Sequence, residues 1–207
     1  MKENGFYKVK PEFIDLINQL GGKYSDHKER PIFCCIEDAH IRNLFWAIPT
    51  SDLSHRSKNQ IEKIEKFCRE NSIRNAYYHI GHTNKPAIYK ISNCFPITAK
   101  YIEAQYLSQG QHLVLKNQKD IDIIRTKLRR VLFDESIHPN KYEQHITTVR
   151  YFLVSEICDH SLDTKAAAPG LLDDKSKKEH TPFNDLLVEL QSETAYPRKS
   201  KDHNAER

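Results

Sequence analysis

Residues 31–49 read Pro-Ile-Phe-Cys-Cys-Ile-Glu-Asp-Ala-His-Ile-Arg-Asn-Leu-Phe-Trp-Ala-Ile-Pro. Two apolar runs, 31–36 and 44–48, flank a polar stretch from Glu37 to Asn43. A short continuous apolar run reads as a buried strand, and two such runs joined by a polar turn predict a hairpin. Pro49 has no amide proton to give to a ladder, so it is expected to end the second strand. Trp46, the only tryptophan, falls inside the hairpin and belongs to the core in this reading.

Working outward towards the N-terminus, residues 6–9 predict a first strand closed by Pro11. Phe13, Leu16, Ile17 and Leu20 then recur at helical spacing until Gly21-Gly22 stops the helix. On the other side, Ile61, Ile64, Phe67 and Cys68 share one face of a helix over 59–70. Residues 76–80, 87–91 and 95–97 predict short strands, with Pro96 at an edge or end. Ile121, Ile124, Leu128 and Leu132 mark a helix over 120–132. Tyr142, Ile146, Val149, Phe152 and Leu153 mark another over 139–158, with His145 and Arg150 read as surface or terminus residues. Strands come first and two helices last. That order predicts an α+β fold, with helices packed around a small antiparallel, barrel-like sheet.

The chain has 207 residues, with Lys+Arg 32 against Asp+Glu 28. The charge is uneven. Residues 159–207 hold eight basic and ten acidic residues, so the first 158 carry a net +6 and eight of the eleven histidines. A basic, His-rich body suits a polyanionic partner. We therefore read one domain at 1–158 and a mobile charged tail at 159–207. The tail's single periodic stretch (Phe183, Leu186, Leu187, Leu190, with Thr181 as cap) predicts a short helix at 181–191, either a marginal helix or a docking peptide. No stretch of about 18 apolar residues is present, which excludes a membrane-spanning helix. The five cysteines form no CxxC pair and suit a reducing, cytoplasmic compartment, and no signal region follows the N-terminus. Six glycines and no Gly-rich phosphate loop argue against dinucleotide binding.

Three segments carry candidate chemistry. In Ala47-Ile-Pro-Thr-Ser-Asp-Leu-Ser-His-Arg56, a buried strand delivers the hydroxyls of Thr50, Ser51 and Ser54, followed by His55, Arg56 and Lys58. Hydroxyls at a strand end can hold phosphate oxygens, Arg and Lys neutralise their charge, and His moves protons. The plainer reading is that Thr50 and Ser51 cap the helix beginning near Ser57. In Tyr77-Tyr-His-Ile-Gly-His-Thr-Asn-Lys-Pro86, His79 and His82 lie three apart, with Lys85 close by. An HxxH pair can ligate zinc, but no third ligand stands at ordinary spacing, so no metal site is assigned. His, Lys, Asn and Tyr on a turn suit RNA, and they also suit an ordinary polar hairpin loop. Arg125, Lys127, Arg129 and Arg130 read as a solvated helix face or a third basic patch.

The order of these segments resembles the ToxN/AbiQ family, the protein toxins of type III toxin–antitoxin systems. The resemblance rests on Phe6-Tyr7, on Arg30-Pro31-Ile-Phe33, on Phe45-Trp-Ala-Ile-Pro-Thr-Ser51, on the runs of 87–97 and on the two late helices, and it spans roughly residues 5–157. Where that family has Pro then Lys after the Thr/Ser-Ser pair, this chain has Asp52 and Leu53. The resemblance implies a cytoplasmic endoribonuclease with a barrel-like core related to the Kid/MazF toxins, serving toxin–antitoxin control or phage defence. It implies cleavage of single-stranded RNA by 2′-hydroxyl attack, with no metal or other cofactor. It also implies restraint by an antitoxin RNA of repeated pseudoknots, in a toxin–RNA hetero-oligomer. On this basis Thr50 and Ser51 are expected to hold the scissile phosphate, Arg30 and Arg56 to supply charge, and His55 or His82 to move the proton. Lys58, His79 and Lys85 join Arg56 as RNA contacts. A non-catalytic RNA-binding module and an adaptor recruiting a partner through 181–191 are the alternatives.

Overall fold

The computed structural model describes residues 1–24, 30–83 and 85–166. The reading of a short helix at 181–191 lies outside them. Among the described residues the fold is α+β, with four α-helices and a mainly antiparallel sheet. Strand β1 (Gly5–Val9) leads into α1 (Pro11–Gln19). The hairpin strands β2 (Ile32–Glu37) and β3 (Leu44–Asp52) follow, then α2 (Lys58–Arg69). Next come β4 (Tyr78–His82), β5 (Pro86–Lys90), β6 (Phe95–Thr98) and β7 (Ile102–Gln105). A two-stranded ribbon, β8 (Leu107–Ser108) and β9 (Gln111–His112), precedes α3 (Gln118–Ile137) and α4 (Ile146–Ala166). No helix among the described residues is long and apolar enough to cross a membrane.

The continuous apolar runs are explained by burial on both faces of the sheet. Successive side chains of a strand point to opposite sides. Phe6, Phe33, Trp46, Ile48 and Tyr89 therefore pack with Ile121, Ile124, Leu128 and Val131 of α3 on one face. Their neighbours Tyr7, Ile32, Cys34, Phe45 and Ala47 pack with Phe13 and Ile17 of α1 and Val149 and Leu153 of α4 on the other. Such a strand has no polar side to alternate with. Trp46 is core, as the hairpin reading requires.

The strand order is β4-β5-β3-β2-β1-β7, with β6 also paired to β3. The ladder does not close on itself. β3 is the branch point: Leu44–Ala47 pair with β6, and Thr50–Asp52 pair with β5. This is why Pro49 does not end the strand as expected. The amide of Thr50 donates to the Pro31 carbonyl on the β2 side. By alternation the missing amide of Pro49 faces the gap where β6 has stopped and β5 has not begun, and no ladder bond is lost there. A bulge between Cys34 and Ile36 shifts the β2–β3 register and places Trp46 opposite Ile36.

The helix ends follow local chemistry. Pro11 begins α1. Gly21 (φ 85°) ends it, the Gly21 and Gly22 amides donating to the Asn18 and Ile17 carbonyls. Ser57 and Gln60 form a reciprocal capping box on α2, so neither Thr50 nor Ser51 caps that helix. The last helix starts later than 139. Residues 139–145 form a turn held by the buried Glu135 carboxylate, which accepts from the Asn140 and Lys141 amides and from the amide and hydroxyl of Thr147. The helix then runs through Ala166, across the 158/159 position where the composition changes.

One charged residue read by pattern as a surface or helix-terminus group is found elsewhere. Arg150 is buried on α4, its guanidinium 3.3 Å from the Asp38 carboxylate. The same Asp38 accepts from the His40 and Ile41 amides and so shapes the β2–β3 turn. On α3, Arg129 and Arg130 are exposed, as a solvated helix face requires, while Arg125 and Lys127 are half-buried. Arg125 pairs with Glu3, Lys127 donates to the Tyr78 carbonyl (2.7 Å), and Arg130 bonds the Ser72 carbonyl and Asn75 side chain.

Candidate nucleic-acid cleft

Three strand ends converge on one opening. β3 finishes at Ser51 and Asp52, beside Ile88 and Ala87 of β5. The start of β2 lies across it, with Arg30 and Pro31 next to Thr50. The β4–β5 turn adds Thr83 and Lys85. Tyr106, between β7 and β8, is drawn in by hydrogen bonding its amide to the Phe6 carbonyl. The result is a cleft of about 430 Å³. Its polar wall includes Arg30, Ser51, Asp52, His55, Arg56 and Lys85, and its apolar wall is Phe6, Pro31, Ala87, Tyr106 and Leu113.

The residues read as a site from sequence divide into those the fold assembles and those it separates. Arg30, Thr50, Ser51, His55, Arg56 and Lys85 all line the cleft. Thr50, however, is buried and donates its hydroxyl proton to the Pro31 carbonyl (2.7 Å). Its donor is committed to fixing the β2 end beside Arg30. Ser51 is half-buried, and its Oγ accepts from Arg56 Nη2 at 3.5 Å, which leaves its own proton to donate. His55 stands at the rim with its side chain 82% exposed. Lys58, the first residue of α2, is exposed and outside the cleft wall.

The two histidines of the HxxH stretch part company. Their odd spacing on β4 sends them to opposite faces. His82 is exposed and does not line the cleft. His79 is buried outside the cleft wall, with Nε2 2.8 Å from Asp120 Oδ1, so the fold does not bring it to the other candidate RNA contacts. Gly81 permits this, since a Cβ there would lie 3.1–3.2 Å from the His79 ring and the Asp120 carboxylate. Among the described residues no three His, Cys, Asp or Glu side chains are grouped to hold a metal.

Burial pushes the His79 imidazole below its ordinary value of 6.5, against the opposing pull of Asp120. The folded state thus binds protons there less readily than the unfolded state. That stability is fully present above the ordinary imidazole range and is lost as pH falls through it. Lowering the pH from about 7 to about 5.5 is expected to reduce the urea midpoint more in the wild type than in His79→Gln. Equal reductions in the two proteins would refute this.

Two cleft residues, Asp52 and Tyr106, are not among the site residues expected from sequence. Asp52 forms an ion pair with Lys85, and its Oδ1 accepts from the Ser54 amide (2.8 Å) and hydroxyl (2.7 Å). Lys85 first, then Ser54, holds the Asp52 carboxyl far below the usual carboxylate range, and Asp52 in turn raises Lys85. Asp52 is therefore a fixed anion and a weak base. Tyr106 stands near enough to Lys85 to act on its charge. Tyr106 has no local sequence signal, because it reaches the cleft only through its pairing with Phe6.

No family model matches the chain, and no curated protein matches it.

Proposed function

We propose that the protein is a metal-independent endoribonuclease that cleaves single-stranded RNA by 2′-hydroxyl attack, acting as the toxin of a protein–RNA toxin–antitoxin or phage-defence system. One observation carries this reading: Arg30, Ser51, Arg56 and Lys85, from three separate segments, line one cleft beside Tyr106. Cations and a hydroxyl donor suit a phosphodiester, and an aromatic ring beside them suits an unstacked base. Ser51 and Arg56 would hold the scissile phosphate. Arg30 and Lys85 would add charge as the phosphorane forms. His55, exposed at the rim, would take the 2′-hydroxyl proton or return one to the leaving 5′-oxygen.

The ordered resemblance to ToxN/AbiQ supports the same reading. In it, the sheet is an open relative of that family's barrel-like core, and an antitoxin RNA would occupy the cleft to restrain it. Purified protein is expected to cut RNA in excess EDTA and leave 2′,3′-cyclic phosphate ends. Binding without cutting would establish an RNA-binding module instead. Activity that disappears in EDTA and returns with magnesium or zinc would overturn the metal-independent chemistry.

A further inference from the structure

Asp52, one of the two residues that depart from the family pattern after Ser51, is held at both carboxylate oxygens. Asp52 is 15% exposed at its side chain and anchored through Oδ1 by both Ser54 bonds. Its Oδ2 faces two partners on long, exposed side chains. Lys85, 59% exposed, forms the ion pair. His55, 82% exposed, waits with Nε2 3.8 Å away, just beyond hydrogen-bonding distance. A fixed carboxylate oxygen thus has one partner in place and a second within reach.

We propose that these partners exchange when RNA binds: an entering phosphodiester draws Lys85 off Asp52 Oδ2, and His55 closes the gap and takes its place. The inference rests on the reading of the cleft as an RNA site. An exposed ion pair is weak, and Lys is a point charge on a flexible stem, so little opposes its transfer to a phosphate oxygen. Once Lys85 leaves, Oδ2 needs a donor and the nearest is His55. A carboxylate bonded to an imidazole fixes the ring's orientation and stabilises its protonated form. That bond also offsets the neighbouring cations Arg30, Arg56 and Lys85, which disfavour an imidazolium, and it acts alongside the phosphate and the Tyr106 phenol. Asp52 is then a positioning residue. It couples arrival of a phosphate to alignment of the proton-transfer group, and an empty cleft keeps its histidine unaligned.

Asp52→Asn tests this, because the amide oxygen can still accept both Ser54 bonds while neither cation is held. With an RNA oligonucleotide substrate, KM is expected to fall roughly twofold to fivefold, since Lys85 is released to the phosphate. The kcat is expected to fall about tenfold or more, since His55 is no longer oriented. A rise in KM, or an unchanged kcat, would overturn the exchange. A second measurement does not depend on cleavage. The His55 ring proton is followed by NMR through a pH titration, with and without a 2′-O-methyl oligonucleotide that cannot react. The wild-type midpoint is expected to rise on binding, and the rise is expected to shrink in Asp52→Asn. A rise of equal size in both proteins would show that the phosphate alone causes it, and the exchange fails. A rise confined to the wild type, in a protein that cuts no RNA, would sink the nuclease reading and leave the exchange standing. If the oligonucleotide does not bind at all, both fail.

Discussion

Replacing Ser51 by alanine is expected to slow RNA cleavage on the order of a hundredfold while leaving the fold intact. Ser51 sits at the end of β3, half-buried, with its Oγ touched by Arg56 and its proton unspent. A donor aimed at the charge developing on phosphorus acts most strongly in the transition state, so its loss falls on kcat. The hydroxyl supports no buried element, and removing it is expected to change stability by no more than about 0.5 kcal/mol. Thr50→Ser, which keeps the hydroxyl that bonds the Pro31 carbonyl, is the contrasting case and is expected to cleave near the wild-type rate. The histidines separate in the same assay. His55→Ala is expected to remove a limb of the pH–rate profile, and His82→Ala to leave the profile unchanged. Wild-type rates for both Ser51→Ala and His55→Ala would place the chemistry outside this cleft.

Arg150→Ala is expected to cost about 3–5 kcal/mol of stability. Arg150 is 7% exposed and Asp38 6%. Deleting the guanidinium leaves the Asp38 carboxylate buried without its counter-ion, and that uncompensated charge is the source of the cost. The double variant Arg150→Met with Asp38→Asn is expected to recover much of the loss, because the asparagine oxygen can still accept from the His40 and Ile41 amides. Urea unfolding of the single and double variants reads both values. A loss below about 1 kcal/mol for Arg150→Ala would mean the pair behaves as an exposed one.

Arg150 also shows where pattern reading fails. A single arginine on a helix is normally solvent-facing, and only the β2–β3 turn, more than a hundred residues away in sequence, supplies the carboxylate that makes its burial tolerable. Pro49 is a second case. Its ring does end ladder donation on one side, as the sequence implies, but the strand continues because the two neighbours of β3 leave a gap at that position. His79 and His82 look alike in sequence and differ completely in place, since one residue's parity along β4 decides between core and solvent.

What the sequence determined by itself is whatever depends on neighbours a few positions apart. The Gly21 stop, the Ser57 start and the apolar periodicity of α1 and α3 belong here, because caps and helical faces are made within a turn or two of chain. The buried hairpin belongs here too, because a run of apolar residues too short for a helix leaves few alternatives. Tertiary structure decided the rest. The branching of β3, the pairing of Arg150 with Asp38 and the meeting of Arg30, Ser51, Lys85 and Tyr106 in one cleft all join segments far apart in the chain. Such contacts depend on how two apolar sheet faces are covered by α3 on one side and by α1 and α4 on the other, and no local spacing encodes that choice.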